Sequence, residues 1–251
     1  MFKENLRRTA EVKGTRIVLA LDLQGGIYTK PKSMRAELKQ ELLAKAYNII
    51  SEVESYIAAV KIGLPLVLDV GLDSVDQIIS SFKPKMLFIC DFKTADVGFI
   101  NKLVANQVFS IGFDAIIVHP MVGVVEGIKP VSELAHNLGK GVLAVCAMTH
   151  LGAQSFLNKH FKELLKLACE AEADGFILPA TYPEYISEAR RLYRDALIMS
   201  PGVGAQGAAY GSAIKAGADF EIVGRAIYDA SNPRKVAEDV VKAVEEAVKQ
   251  G

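Results

Sequence analysis

At 251 residues the chain has a normal length for one α/β barrel, and its 51% hydrophobic and 23% charged residues exclude a disordered protein. Lys plus Arg and Asp plus Glu both total 29, so a net charge of zero makes no electrostatic case for nucleic acid or an anionic membrane as partner. It also leaves little repulsion to oppose self-association. Cys90, Cys146 and Cys169 are odd in number and widely spaced, which is no disulfide framework and suits a reducing cytoplasm. The Met1–Arg8 stretch lacks an apolar h-region, so no secretory signal is expected, and no apolar run approaches a membrane span.

In chain order, Arg16–Asp22 is the first strand, almost wholly apolar as a strand buried on both faces should be. A Gly/Pro-punctuated loop over 24–34 follows and reads as a tolerated insertion in preference to a lid. A helix is predicted over about 35–54, strand two over 56–62 with Lys61 inside it, and a short helix over 72–82 that Pro84 helps to end. Strand three is the stretch from Met86, followed by a helix over 97–112. Strand four covers 115–120, a helix 124–137, strand five 141–148, a helix 155–173, strand six 175–179 and a helix 183–193. Strand seven spans 196–200, strand eight 220–223, and a closing helix about 233–249. Eight short apolar strands alternating with helices predict a single (β/α)8 TIM barrel over residues 1–251. No Gly-x-Gly-x-x-Gly turn follows strand one, which argues against a dinucleotide-binding sheet.

Met86–Asp96 delivers Asp91, Lys93 and Asp96 at the end of an apolar strand. Alternation points Asp91 and Lys93 to one face and Cys90 and Phe92 to the other. Such charges are costly to desolvate, so they either close the strand end as ion pairs or do chemistry. Asp22, Lys61, Asp91 with Lys93, His119, Thr149, Pro201 and Arg225 all fall at strand carboxyl ends, which converge on one rim in a barrel. Pro201-Gly-Val-Gly-Ala-Gln-Gly207 and Gly224-Arg225 supply approachable backbone N–H groups, helix starts and a guanidinium fork, a setting for phosphate. A substrate carboxylate beside Asp91 would be repelled, loss of CO2 would relieve that, and Lys93 could protonate the carbanion. The carboxylates could instead hold Mg2+, but Lys61 and Lys93 put positive charge where the metal would sit. The four histidines show no zinc motif, His119 reads as a packing or polar-network residue, and no Gly-x-Ser-x-Gly elbow is present.

With these motifs the chain resembles the orotidine 5′-phosphate decarboxylases, most closely the short archaeal type. The resemblance runs from Leu-Ala-Leu-Asp22 to Val-Gly-Arg225-Ala-Ile-Tyr. Its most specific pieces are Val60-Lys-Ile-Gly-Leu-Pro65, Asp91-Phe-Lys-Thr-Ala-Asp96 and Ser200-Pro-Gly-Val-Gly-Ala-Gln-Gly207. It implies cofactor-free conversion of orotidine monophosphate to uridine monophosphate in pyrimidine biosynthesis, with no metal. It further implies that Asp22 and Lys61 hold ribose hydroxyls, that Asp91 faces the substrate carboxylate and that Lys93 donates the proton. Asp96 would reach the neighbouring site of a homodimer, Thr149 would touch the pyrimidine, and Gln206, Gly224 and Arg225 would grip the phosphate, with Pro201 and Val203 shaping that loop. Two departures stand out: Ile100 replaces a threonine of the family pattern, and the 24–34 loop is long. The Lys-Thr-Ala-Asp-Val-Gly98 run leans towards sister Mg2+-dependent sugar-phosphate enzymes, which typically have an acidic metal ligand near the end of strand two, where this chain has Lys61. A non-catalytic nucleotide-binding protein on the same barrel is the other alternative.

Overall fold

The computed structural model describes residues 1–83 and 85–250. Helices α1 (Phe2–Lys13), α2 (Arg35–Val53), α3 (Leu64–Val70) and α4 (Leu72–Phe82) alternate with strands β1 (Ile17–Leu21) and β2 (Ala59–Gly63) and lead to β3 (Leu87–Thr94). Next come α5 (Gly98–Ser110), β4 (Ala115–Val118), α6 (Lys129–Asn137), β5 (Gly141–Val145), α7 (Leu151–Ser155), α8 (Phe161–Glu170) and β6 (Gly175–Ile177). Then follow α9 (Pro183–Leu192), β7 (Leu197–Pro201), α10 (Ser212–Lys215), β8 (Phe220–Val223), α11 (Arg225–Tyr228) and α12 (Pro233–Gln250). The eight strands pair in parallel in sequence order, and β1 pairs with β8 to close the barrel. The (β/α)8 TIM barrel predicted from strand count is the fold found.

Alternate strand residues build two cores. Val18, Ile89, Leu143, Met199 and Phe220 fill the interior, while Leu19, Phe88, Cys90, Ile116 and Ile198 pack outward among the helices. The interior is continued by Phe2, Leu6 and Ala10, one face of α1 at four-residue spacing, so α1 plugs the amino-terminal mouth. The fit is close: a Cβ at Gly141 would overlap the Phe2 ring. This helix is absent from the sequence-based expectation.

Three other departures have local causes. The helix expected over 124–137 begins with a π-turn, Val124–Ile128, and becomes α-helical only at Lys129, since Pro130 takes a first-turn position where its missing N–H costs nothing. The helix expected over 155–173 is broken into α7, a 3-10 turn over Leu157–His160 and α8. There the buried Asn158 amide bonds both the N–H and the C=O of Met148, at 2.9 and 3.0 Å, tying the turn to the loop after β5, which ends at Val145 and not at Met148 as expected. The chain break expected at Pro84 lies outside the described residues.

At the amino-terminal rim, Asp114, Asp174 and Asp219 each immediately precede an even-numbered strand and accept a backbone N–H from the strand before. These donors are Phe88 at 3.0 Å, Val142 at 2.9 Å and Ile198 at 2.8 Å. Each carboxylate also meets a cation or an imidazole: Lys140, His136 and Arg190 respectively. The 24–34 segment is likewise built in. Asp69 of α3 accepts the N–H groups of Gly25, Gly26 and Ile27 at 2.6, 3.1 and 3.1 Å, Ile27 is buried, and Arg35 bonds the carbonyls of Tyr28 and Lys30.

Candidate active site

The carboxyl ends of β1, β2 and β3 bring together four charges from three stretches far apart in sequence. Lys61 Nζ lies 2.6 Å from Asp91 Oδ2 and 3.1 Å from Asp22 Oδ2, and Lys93 Nζ lies 2.6 Å from Asp91 Oδ1. The order is thus acid, base, acid, base. The two inner members are nearly dry, with side-chain exposures of 6% for Lys61 and 8% for Asp91, whereas Lys93 is 36% exposed. Burial pulls the Lys61 pKa down, but Asp91 and then Asp22 overcome it and hold the ammonium above its usual range. For Asp91, burial pushes upward, and Lys61 and Lys93 together outweigh it and keep the carboxyl below its usual range.

Lys93 owes its direction to more than strand alternation. Its φ of 48° lies in the left-handed region that a side chain with a Cβ rarely adopts, and the β3–β4 register shifts between Cys90 and Thr94. A bulge at the strand end therefore aims the ammonium at Asp91, and the backbone strain, of order ~1–3 kcal/mol at such positions, is borne by the surrounding ladder. That ladder includes a bond from His119 N to Thr94 O at 2.9 Å.

These charges form one end of a pocket of about 250 Å3. At the other end, Pro201, Gly202, Val203, Ala205 and Gln206 face Gly224, Arg225 and Tyr228. The 201–208 turn is closed by backbone bonds from Gly204 to Ala208 at 2.8 Å and from Gly207 to Gly204 at 2.9 Å, with φ positive at Gly202, Gly204 and Gly207. The helix starts expected to add a dipole here are weak: α10 begins only at Ser212, and α11 has four residues. Anion binding at this end would therefore rest on backbone N–H groups, Gln206 and Arg225. Between the two ends the wall is apolar, made by Ile117, Val145, Ile177 and Ile222 with Met148 and Thr149. A ligand with an anionic group at the Arg225 end and a polar reacting group at the Lys93 end would match this order.

Of the residues singled out from sequence, Asp22, Lys61, Asp91, Lys93, Thr149, Pro201, Val203, Gln206, Gly224 and Arg225 all line this pocket. Asp96 does not. It is exposed before α5, where its Oδ1 accepts the Val97 N–H at 2.7 Å and its backbone is clasped by Asn101. His119 does not line the pocket either; burial and then the Lys93 ammonium push its pKa down against the pull of Asp91. Sequence reasoning missed Tyr228 and the apolar wall. Ile117, Val145, Ile177 and Ile222 each sit at or near a strand's carboxyl end, a regularity that could have marked them.

Comparison with known proteins identifies the family. The family model described as "Orotidine 5'-phosphate decarboxylase / HUMPS family" matches residues 15–240. The curated orotidine 5'-phosphate decarboxylase of Methanosarcina mazei is 40% identical over 202 residues, covering 80% of this chain and 90% of that protein. That of Pyrococcus abyssi is 40% identical over 197 residues, covering 78% and 91%. Among solved structures, the orotidine 5'-monophosphate decarboxylase of Methanocaldococcus jannaschii complexed with inhibitor BMP superposes with a TM-score of 0.78 at 30% identity, over 92% of this chain and 98% of that one. The Pyrococcus horikoshii enzyme gives a TM-score of 0.75 at 36% identity, over 91% and 99%. With the match running from β1 into α12, the chain belongs to the orotidine 5'-phosphate decarboxylase / HUMPS family and is a decarboxylase of that family.

Proposed function

We propose that the protein converts orotidine 5'-monophosphate to uridine 5'-monophosphate and CO2 in pyrimidine biosynthesis, without metal or cofactor. The observation that carries this reading is the Asp22–Lys61–Asp91–Lys93 chain at one end of a pocket whose other end holds the Gly-rich turn and Arg225. The phosphate would be held by Arg225, Gln206 and the N–H groups near Gly224, with Pro201 and Val203 shaping the turn. Asp22 and Lys61 would take the ribose hydroxyls, and Thr149 the pyrimidine edge.

Asp91 is kept ionised at neutral pH by its two lysines. A substrate carboxylate about 4 Å away is repelled by roughly 4 kcal/mol at an effective dielectric of about 20. Breaking the carbon–carboxylate bond releases neutral CO2 and removes that repulsion. The electron pair stays on the pyrimidine carbon, beside the Lys93 ammonium, which stabilises the localised carbanion more than the delocalised ground-state charge. Lys93 then gives up a proton to that carbon and recovers one from solvent. The short contact between Lys93 and Asp91 supports this role, because it fixes the ammonium at the carboxylate's side of the pocket. Two ammonium groups interleaved with the carboxylates occupy the space a divalent cation would use, which supports a metal-free reaction.

The remaining roles follow the same reading. Asp96, exposed and outside its own pocket, would enter the site of a neighbouring subunit in a homodimer. The cytoplasm fits three free cysteines, two of them buried; no helix among the described residues is long and apolar enough to cross a membrane. The test is the fall in orotidine monophosphate absorbance with purified protein in excess EDTA, beside Lys93→Ala. We expect loss of absorbance in the parent protein alone. Activity restored only by Mg2+, or confined to a sugar phosphate, would refute the reading.

A further inference from the structure

Ten of the seventeen large apolar side chains that are exposed among the described residues lie on the rim loops and helices that follow β1, β2, β3 and β4. They include Tyr28, Leu68, Phe99, Ile100, Met121 and Val125. Because the strands are neighbours in that order, these segments form one crescent on half of the catalytic face. Its parts are joined in two pairs. Asp69 of α3 ties down the loop after β1, and Gly98 at the start of α5 packs so closely on Glu126 that a Cβ there would sit 2.9 Å from the Glu126 carbonyl. Exposed apolar side chains concentrated on one face in this way mark a binding face.

The charges on the crescent are unequally placed. The loop end carries exposed Lys30 and Lys32 together with Arg35, and residues 23–36 contain no acid. The opposite end carries exposed Asp96 and Glu126, with one exposed base, Lys102, on α5, while Lys129 is already paired with Glu172. A two-fold axis through the middle of such a surface brings the basic end of one copy onto the acidic end of the other, twice over.

We propose that the 24–34 loop is a subunit-interface element, its Lys30 and Lys32 facing Glu126 of the partner subunit across a two-fold axis. This rests on the homodimer reading above and goes beyond it by giving the long loop a partner. It also explains why the loop is held so firmly. Three N–H bonds to Asp69, the buried Ile27 and the Arg35 guanidinium stacked on Tyr28 at 5.2 Å hold the loop in one conformation before association, so little entropy is lost on docking.

The test is the dimer dissociation constant by analytical ultracentrifugation for the parent protein, Lys30→Glu/Lys32→Glu, Phe99→Glu, and the double reversal combined with Glu126→Lys, with circular dichroism confirming the fold of each. We expect at least a tenfold weakening for the double reversal, recovered in large part by Glu126→Lys, and a stronger loss for Phe99→Glu. An unchanged constant for the double reversal, with Phe99→Glu dissociating the dimer, would overturn the loop's role and leave the dimer standing. A parent protein that is monomeric at micromolar concentration would overturn the dimer reading itself, and the loop proposal with it.

Discussion

Replacing Lys61 by Met tests the charge chain at its buried link. The substitution keeps the side chain's length and removes an ammonium 2.6 Å from Asp91 and 3.1 Å from Asp22. Removing one partner of a buried pair costs about 3–5 kcal/mol because the other charge is left desolvated. Asp91 retains Lys93 on its second oxygen, so we expect the lower end, about 3 kcal/mol. For a chain of this size that lowers Tm by about 6–12 °C. The pH dependence follows from the two shifts. Asp91 has a folded pKa below its unfolded value, so its contribution is full above about pH 4 and is lost as the pH falls through the folded pKa. Lys61 has a folded pKa above its unfolded value, so its contribution is full below about pH 10.4 and is lost as the pH rises through the folded pKa. The deficit of Lys61→Met relative to the parent should therefore be widest across neutral pH and narrow towards both extremes. Urea unfolding of both proteins over pH 3–11 measures it. Adding Asp91→Asn should recover much of the loss, since the stranded charge is gone. A deficit below about 1 kcal/mol at pH 7, or one that does not vary with pH, would refute the argument that Lys61 compensates a buried Asp91.

Three further outcomes are expected. Arg225→Ala should lower kcat/KM by about a hundredfold, the scale of a charge-assisted contact worth roughly 3 kcal/mol, and added guanidinium should restore part of it; an unchanged kcat/KM would remove Arg225 from the phosphate site. Leu6→Ala, which opens a cavity beneath the barrel, should cost about 2–5 kcal/mol by urea denaturation, and a cost below 1 kcal/mol would mean that α1 is not the plug described. Asp69→Ala frees three N–H groups and should cost at least about 1.5 kcal/mol while making the 24–34 loop the first site of proteolytic cleavage. Intact protease resistance there would show that Ile27 and Arg35 hold the loop by themselves.

Much of the chemistry was legible because it is written locally. Short runs such as Ile17–Leu21 and Ala115–Val118 are apolar on both faces, as parallel strands between helices must be, and the charged ends of β2 and β3 could be read against that background. The rim logic of the barrel then placed Asp22, Lys61, Asp91, Lys93 and Arg225 together before any distance was known. Other features left a local trace that went unread. Phe2, Leu6 and Ala10 recur at a helical spacing, Asp69 is an acid inside the apolar run Leu-Pro-Leu-Val-Leu-Asp-Val, and an Asp stands just before β4, β6 and β8.

What local pattern could not decide is which distant groups meet. Lys61 reaches acids 39 residues before it and 30 after it, and only closure of the barrel makes one ammonium serve both. Asn158 interrupts a helix by bonding Met148, in the loop after β5 ten residues earlier, so propensity alone predicted an unbroken helix. The positive φ of Lys93 comes from a register shift between two strands, and no residue type announces it. The sequence by itself thus determined the alternation of elements and the identity of the charged residues, since both depend on side-chain chemistry and period. The tertiary structure alone decided their pairing, the plug, the anchored loop and the exposure of Asp96, because each depends on groups brought close only when the chain folds.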